Sequence, residues 1–162
     1  MEKKKKKIIF AGGGTGGHIM PLISLYNFLN ESHTLDYMWL GERDSLEEKT
    51  AFKYDIEFHE VAAGKIRRYF DVRNFYEPLK NLTGIFQALY YIIRYKGDII
   101  FSKGGFASVP VCIAGWILRK KIYIHESDSV MGLANRISSK FASKVFHSFP
   151  LEEGHHPKHI ST

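Results

Sequence analysis

One cysteine, five prolines, two tryptophans and no long apolar run: each scarcity in this sequence excludes something. A single cysteine forms no internal disulfide, so the composition fits a reducing compartment. Cys112 lies in the apolar stretch "VPVCIAGW" and reads as a buried thiol, not a nucleophile. The longest apolar stretch, Phe106 to Leu118, holds 13 residues, whereas a membrane-spanning helix needs about 20. After the basic start "MEKKKKK" only Ile8 to Ala11 are apolar before glycines intervene, too few for a signal peptide or anchor, so a cytoplasmic location is expected. Metal-ligand spacing is also missing. His155, His156 and His159 stand in the tail "LEEGHHPKHIST" without a cysteine or carboxylate cluster, so neither metal nor cofactor is expected. No lysine closes the first glycine run as it would in a nucleoside triphosphatase.

Acidic residues are fewer than basic ones, 17 against 23, for a net charge of +6. The excess is regional. Residues 1–7 carry +4, residues 64–96 carry seven Lys/Arg against Asp71 and Glu77, and the remainder sums to −3. In the second region Lys65, Arg67, Arg68 and Arg73 interleave with Tyr69, Phe70 and Phe75, a combination suited to an anionic membrane surface. No nucleic-acid partner is expected.

What is present is an alternation. "KIIFAG", "TLDYMWLG", "IEFHEVAAG", "DIIFSKGG", "KIYIHES" and "KVFHSF" read as strands, and residues 17–31, 44–53, about 75–96, 107–119 and 130–142 as helices. In the third helix Leu79, Leu82, Phe86, Leu89 and Ile93 have the spacing of one buried stripe. Alternating strands and helices predict an α/β, Rossmann-like parallel sheet with helices on both faces. With 162 residues, 44% of them hydrophobic, one domain over 1–150 is expected, with 151–162 as a linker or the start of a connection.

Ligands in such sheets bind where strands run into helices, and three of those loops are unusual. The first, "AGGGTGGHIMP", sets Gly13, Gly14, Thr15, Gly16 and Gly17 before His18 and a helix start. Glycines let a backbone approach a ligand, and the helix N-terminus behind them suits a phosphate or sugar oxygen. Gly12, Gly14 and Gly17 also satisfy G-x-G-x-x-G, with Glu42 placed as a ribose-binding acid, so a nicotinamide dinucleotide is a formal alternative. The second loop, "SKGGFASVP", brings Gly104, Gly105 and Phe106, with Ser108 as a possible cap. The third, "IHESDSVMGLANR", crowds His125, Glu126, Ser127, Asp128 and Asn135 at one strand end, a set suited to hydroxyl recognition. Two glycine loops on neighbouring strands point to a ligand with its own diphosphate or several sugar hydroxyls.

Three stretches, "GGGTGGHIMP", "SKGGFASVPVCIAG" and "HESDSVMGLANR", resemble the amino-terminal half of the MurG family, the bacterial enzymes that add N-acetylglucosamine to lipid I in peptidoglycan synthesis. The similarity runs from about Lys7 to Phe149. It implies half of a GT-B fold, in which two Rossmann-like domains face across a cleft. The activity implied is inverting transfer of N-acetylglucosamine from UDP-N-acetylglucosamine to the 4-hydroxyl of lipid-linked N-acetylmuramoyl-pentapeptide at the cytoplasmic face of the plasma membrane. The amino-terminal domain of such enzymes holds the lipid I acceptor and meets the membrane; the other holds most of the UDP. Carried over, His18 is the candidate base, with Glu126 as the alternative. Thr15, Gly16, Gly17, Asp128 and Asn135 face the donor sugar, and Gly13, Gly14, Gly104, Gly105 and Phe106 cradle the acceptor diphosphate. Asp128 and Ser127 depart from the asparagine and glutamine of many relatives. Because the family has a second domain of similar size, the chain reads as an excised acceptor-side domain, or as the acceptor subunit of a two-chain glycosyltransferase. A non-catalytic membrane-surface module is the remaining alternative.

Overall fold

The computed structural model describes residues 5–32, 34–64, 77–150 and 158–161. Its elements run β1 (Lys7–Gly12), α1 (Gly16–Ser32), β2 (Asp36–Gly41), α2 (Leu46–Lys53), β3 (Glu57–Glu60), α3 (Glu77–Tyr95) and β4 (Ile99–Gly104). There follow α4 (Ser108–Ile117), β5 (Lys121–Glu126), α5 (Leu133–Ser138), a 3₁₀ turn (Ser139–Phe141), β6 (Lys144–His147) and β7 (His159–Ser161). The strands form one parallel sheet in the order β3-β2-β1-β4-β5-β6-β7. Chain direction across the sheet reverses between β1 and β4, where open α/β sheets bind ligands.

Both faces of the sheet are covered, so successive residues of one strand enter different cores. On β1, Ile8 and Phe10 pack with Ile19, Leu22 and Ile23 of α1, Trp39 of β2 and Ala51 of α2. Ile9 and Ala11 pack on the opposite side with Ala88 and Ile92 of α3, Val111 and Ala114 of α4, and Ile100, Ile122 and Val145 of the later strands. Cys112 lies in this second core, and burial pushes its thiol up to about 11, as expected for an inert packing residue.

The structure corrects the reading of α3. Of the predicted stripe only Leu89 packs against the core; Leu79, Leu82, Phe86 and Ile93 are 50 to 63% exposed, together with Tyr90. The face turned inward carries Gly84, Ala88 and Ile92. A Cβ at Gly84 would overlap the carbonyl of Ala62 and press on Pro110 Cβ at 3.2 Å, so α3 sits close to α4 because its contact residues are small. Large apolar side chains are left on the outside.

Two further differences are local. The tail read as a linker ends in a strand, β7, whose Ile160 lies opposite Phe146 of β6. Ser108 does not cap α4: Ala107 holds that position, and the Ser108 hydroxyl donates to the Gly105 carbonyl at 2.7 Å.

Candidate functional site

The two glycine loops leave β1 and β4 side by side and dock on one another. Gly13 N–H donates to the Gly104 carbonyl at 3.3 Å. Gly105, at φ +86°, lies so near Gly13 that a Cβ there would come within 2.6 Å of the Gly13 carbonyl oxygen. The register of β1 against β4 slips at this point: Ala11 faces Ser102 and Gly12 faces Gly104. Lys103 is thus the extra residue of a bulge, a device that re-aims a side chain at a strand end.

Beside the docked loops opens a cavity of about 450 Å³ lined by Gly14, Thr15, His18, Arg43, Leu46 and Phe106, among others. Gly13 and Gly105 also line it, so the cavity brings together six residues predicted at loops one and two. Its third wall is the loop Glu42–Ser45 after β2, which motif reading valued only for Glu42. Gly16 and Gly17 begin α1 in the open: a Cβ at Gly16 would meet nothing within 4 Å, and one at Gly17 only Thr15 Oγ1 at 3.8 Å. In a dinucleotide fingerprint the third glycine lets helix pack on strand. Gly17 has no such neighbour, which removes the geometric reason for that alternative.

His18 is the third residue of α1 and half-buried. Its Nδ1 lies 3.0 Å from the Gly13 carbonyl oxygen and 3.2 Å from Thr15 Oγ1. A carbonyl oxygen only accepts, so the Nδ1 hydrogen is on the ring and Nε2 is left with its lone pair in the neutral form.

The third loop is built differently. Glu126 is 3% exposed; Oε1 accepts from Asp128 N–H at 3.1 Å, and Oε2 from Gly132 N–H at 3.2 Å and Asn135 Nδ2 at 2.9 Å. Burial pushes this carboxyl upward, but those hydrogen bonds and the nearby Lys103 ammonium outweigh it and hold it below the usual carboxylate range. Asn135 is buried beside Gly104, its Oδ1 without a hydrogen-bond partner among the described residues, while Asp128 is exposed. Neither lines the cavity next to His18, and neither does Glu126.

Lys103, which motif reading passed over, is fully buried and donates from Nζ to Ser127 Oγ at 2.8 Å. Burial lowers its pKa against the opposing pull of Glu126 and Asp128. His125 is lowered too, first by burial and then by Lys103. A lysine between a strand and two glycines was the available sign.

Lys65, Arg67, Arg68, Tyr69, Phe70, Arg73 and Phe75, expected from the sequence to face a membrane, lie outside the described residues, as do His155 and His156. His159 sits on β7, its ring stacked on His147 with centroids 5.1 Å apart. Among the described residues no three His, Cys, Asp or Glu side chains group as metal ligands, and no helix is long and apolar enough to cross a membrane.

The glycosyltransferase family 28 N-terminal domain matches residues 8–147. The UDP-N-acetylglucosamine--N-acetylmuramyl-(pentapeptide) pyrophosphoryl-undecaprenol N-acetylglucosamine transferase 3 of Bacillus thuringiensis (strain Al Hakam) is 43% identical over 153 residues, 94% of this chain and 43% of that protein. The corresponding transferase of Clostridium tetani is 44% identical over 146 residues, 90% of this chain and 40% of its own length. The crystal structure of Acinetobacter baumannii MurG superposes with a TM-score of 0.80 at 25% identity, over 97% of this chain and 44% of that one. The chain therefore spans less than half the length of these relatives.

Proposed function

We propose that this chain, which belongs to the glycosyltransferase family 28 N-terminal domains, forms the acceptor side of an N-acetylglucosaminyltransferase acting on lipid I in peptidoglycan synthesis. The observation that carries the reading is the cavity beside His18, where the two docked loops bring Gly13, Gly14, Thr15, Gly105 and Phe106 around a histidine whose Nδ1 is bonded to the Gly13 carbonyl. In the reaction, the 4-hydroxyl of the lipid-linked N-acetylmuramoyl acceptor attacks the anomeric carbon of UDP-N-acetylglucosamine. The new C–O bond forms with inversion, the bond to the diphosphate breaks, UDP leaves, and the hydroxyl proton passes to His18 Nε2. Gly13, Gly14, Gly104, Gly105 and Phe106 cradle the acceptor's diphosphate, and the N-terminus of α1 favours its negative charge. Thr15, Gly16 and Gly17 face the transferred sugar, with Asp128 at the rim and Asn135 behind it. The relatives' remaining length supplies the uridine site.

Glu126 is the weaker base. Both its oxygens already accept hydrogen bonds that hold the third loop, and its carboxyl sits below the ordinary range.

The exposed stripe of α3 supports peripheral docking on the cytoplasmic face of the plasma membrane. Leu79, Leu82, Phe86, Tyr90 and Ile93 form a continuous apolar face, and α4, packed against α3, adds exposed Trp116. Such a face in a water-exposed helix marks an interaction surface.

The test is a fusion in which this chain replaces the matched segment of the Clostridium tetani relative. Transfer of labelled N-acetylglucosamine to a soluble lipid I analogue is expected; a folded fusion without transfer overturns the reading. The chain alone is expected to bind UDP weakly, and micromolar affinity in calorimetry would overturn its assignment to the acceptor side.

A further inference from the structure

Glu47 is a carboxylate in the wrong place for a surface helix. It occupies the first turn of α2, begun by Ser45, whose hydroxyl caps Glu48 N–H, yet Glu47 is 1% exposed while its neighbour Glu48 turns outward to Asp44 N–H. Among the described residues its partners are two backbone N–H groups: Gly14 donates to Oε2 at 2.9 Å and Glu42 to Oε1 at 3.3 Å. The loops after β1 and β2 have been shaped around it. A Cβ at Gly13 would overlap the Glu47 carboxyl group, and one at Gly41 would come within 2.8 Å of Glu47 Cγ. Burying a carboxylate costs free energy that its hydrogen bonds must offset.

What those bonds hold is one peptide plane. The Gly14 N–H that Glu47 grips and the Gly13 carbonyl that receives His18 Nδ1 at 3.0 Å belong to the same peptide unit. The unit is planar and trans, so its N–H and C=O point in opposite directions, and fixing one fixes the other. Carboxylate, peptide and imidazole therefore stand in line. We infer that Glu47 is a positioning residue for His18, acting through the Gly13–Gly14 peptide to keep the ring's proton on Nδ1 and its lone pair on Nε2.

The arrangement does at one remove what a carboxylate bonded directly to a histidine does: it selects the tautomer and orients the ring. The negative charge also polarises the intervening peptide and strengthens the carbonyl as an acceptor. Thr15 Oγ1, 3.2 Å from Nδ1, shares the same hydrogen but cannot hold it alone, because a hydroxyl rotates and can also donate. Gly14, at φ +88°, lets the plane turn far enough to meet both partners.

The inference deepens the reading of His18 as the base and rests on it only for the kinetic consequence. Nitrogen-15 NMR of the ring in the 162-residue chain tests the geometry. The neutral parent ring is expected as the Nδ1–H form; a parent ring found mainly as Nε2–H overturns the inference before any variant is made. In Glu47→Ala the Nε2–H fraction is expected to rise several-fold. Glu47→Gln keeps an acceptor oxygen for Gly14 N–H and is expected to restore the Nδ1–H form. A folded Glu47→Ala with the parent's tautomer overturns the inference. So does a Glu47→Gln that matches Glu47→Ala, and if alanine does not fold, the comparison of glutamine with parent still decides. In the fused transferase, Glu47→Ala should lower kcat at least about tenfold with acceptor KM little changed, since a misplaced proton removes part of a base's contribution. A shifted tautomer with unchanged kcat would leave the relay standing and remove His18 as the base.

Discussion

The first and second glycine loops leave adjacent strands and touch, yet their glycines answer to different neighbours. Gly16 and Gly17 of the first face open space, and next to them stands His18, its Nδ1 bonded to the Gly13 carbonyl. In the second, Gly104 is backed by Asn135 and Gly105 by the Gly13 backbone, while the loop's lysine is buried against the third loop. The far end of the first loop is open and holds the proposed base; the second loop is packed backbone on which Gly12 and Gly13 of the first are braced. Substitutions should therefore separate, those in the first loop damaging turnover and those in the second damaging the fold.

The largest effect is expected at His18. In the fused transferase His18→Ala should lower turnover by about 10²- to 10⁴-fold, the usual contribution of a general base, while the urea midpoint of the chain barely moves. Turnover within a few-fold of the parent, with a lowered midpoint, would make the histidine structural and break the contrast between the loops.

Gly105→Ala sharpens the contrast from the other side. The residue holds φ +86° and its Cβ would approach the Gly13 carbonyl oxygen at 2.6 Å, so both strain and overlap apply. A loss of about 2 to 4 kcal/mol in urea unfolding is expected. An unchanged midpoint would mean that the two loops do not brace one another.

Glu126 holds the third loop together beside the charge of Lys103, and its contribution depends on pH. Because the folded state binds this proton less readily than the unfolded chain, its stabilisation is full above the ordinary value of 4.5 and is lost as pH falls through the lower folded value. Glu126→Gln presents an amide to three donors that need an acceptor, and should cost about 1 to 2 kcal/mol near pH 7. The gap between parent and variant should narrow on acidification below about pH 4. A gap that widens there would contradict the hydrogen-bond network.

Much of this was legible in the chain. Parallel strands covered on both faces appear as short continuous apolar runs, and β1, β2, β4, β5 and β6 lie within the segments so read. The glycine loops carried their own sign because close backbone approach admits only glycine. The face of α3 was misread because the apolar-stripe rule assumes that the largest side chains go inside; Gly84 and Ala88 leave almost no trace in a hydrophobicity pattern. β7 escaped notice since His159–Ser161 has no apolar run and owes its form to pairing with β6. Glu47 was hidden beside Glu48. The one available sign is that it stands four residues before Ala51, so the helix period puts both on the buried face.

The smallest effect on stability is expected at Gly16, and it is the most discriminating. Glycine at the start of a helix costs stability relative to alanine, and nothing in the fold demands it here: Gly16 has no left-handed φ and an added Cβ meets no atom within 4 Å. Gly16→Ala should thus leave the urea midpoint unchanged or raise stability by up to about 0.5 kcal/mol. If the glycine serves the ligand, the same methyl group should intrude on the transferred sugar, and the fused transferase should lose turnover several-fold. Unchanged turnover together with unchanged stability would mean that the open space beside Gly16 is not where the sugar lies, and would move the reacting carbon deeper, toward Phe106 and the wall formed by the Glu42–Ser45 loop.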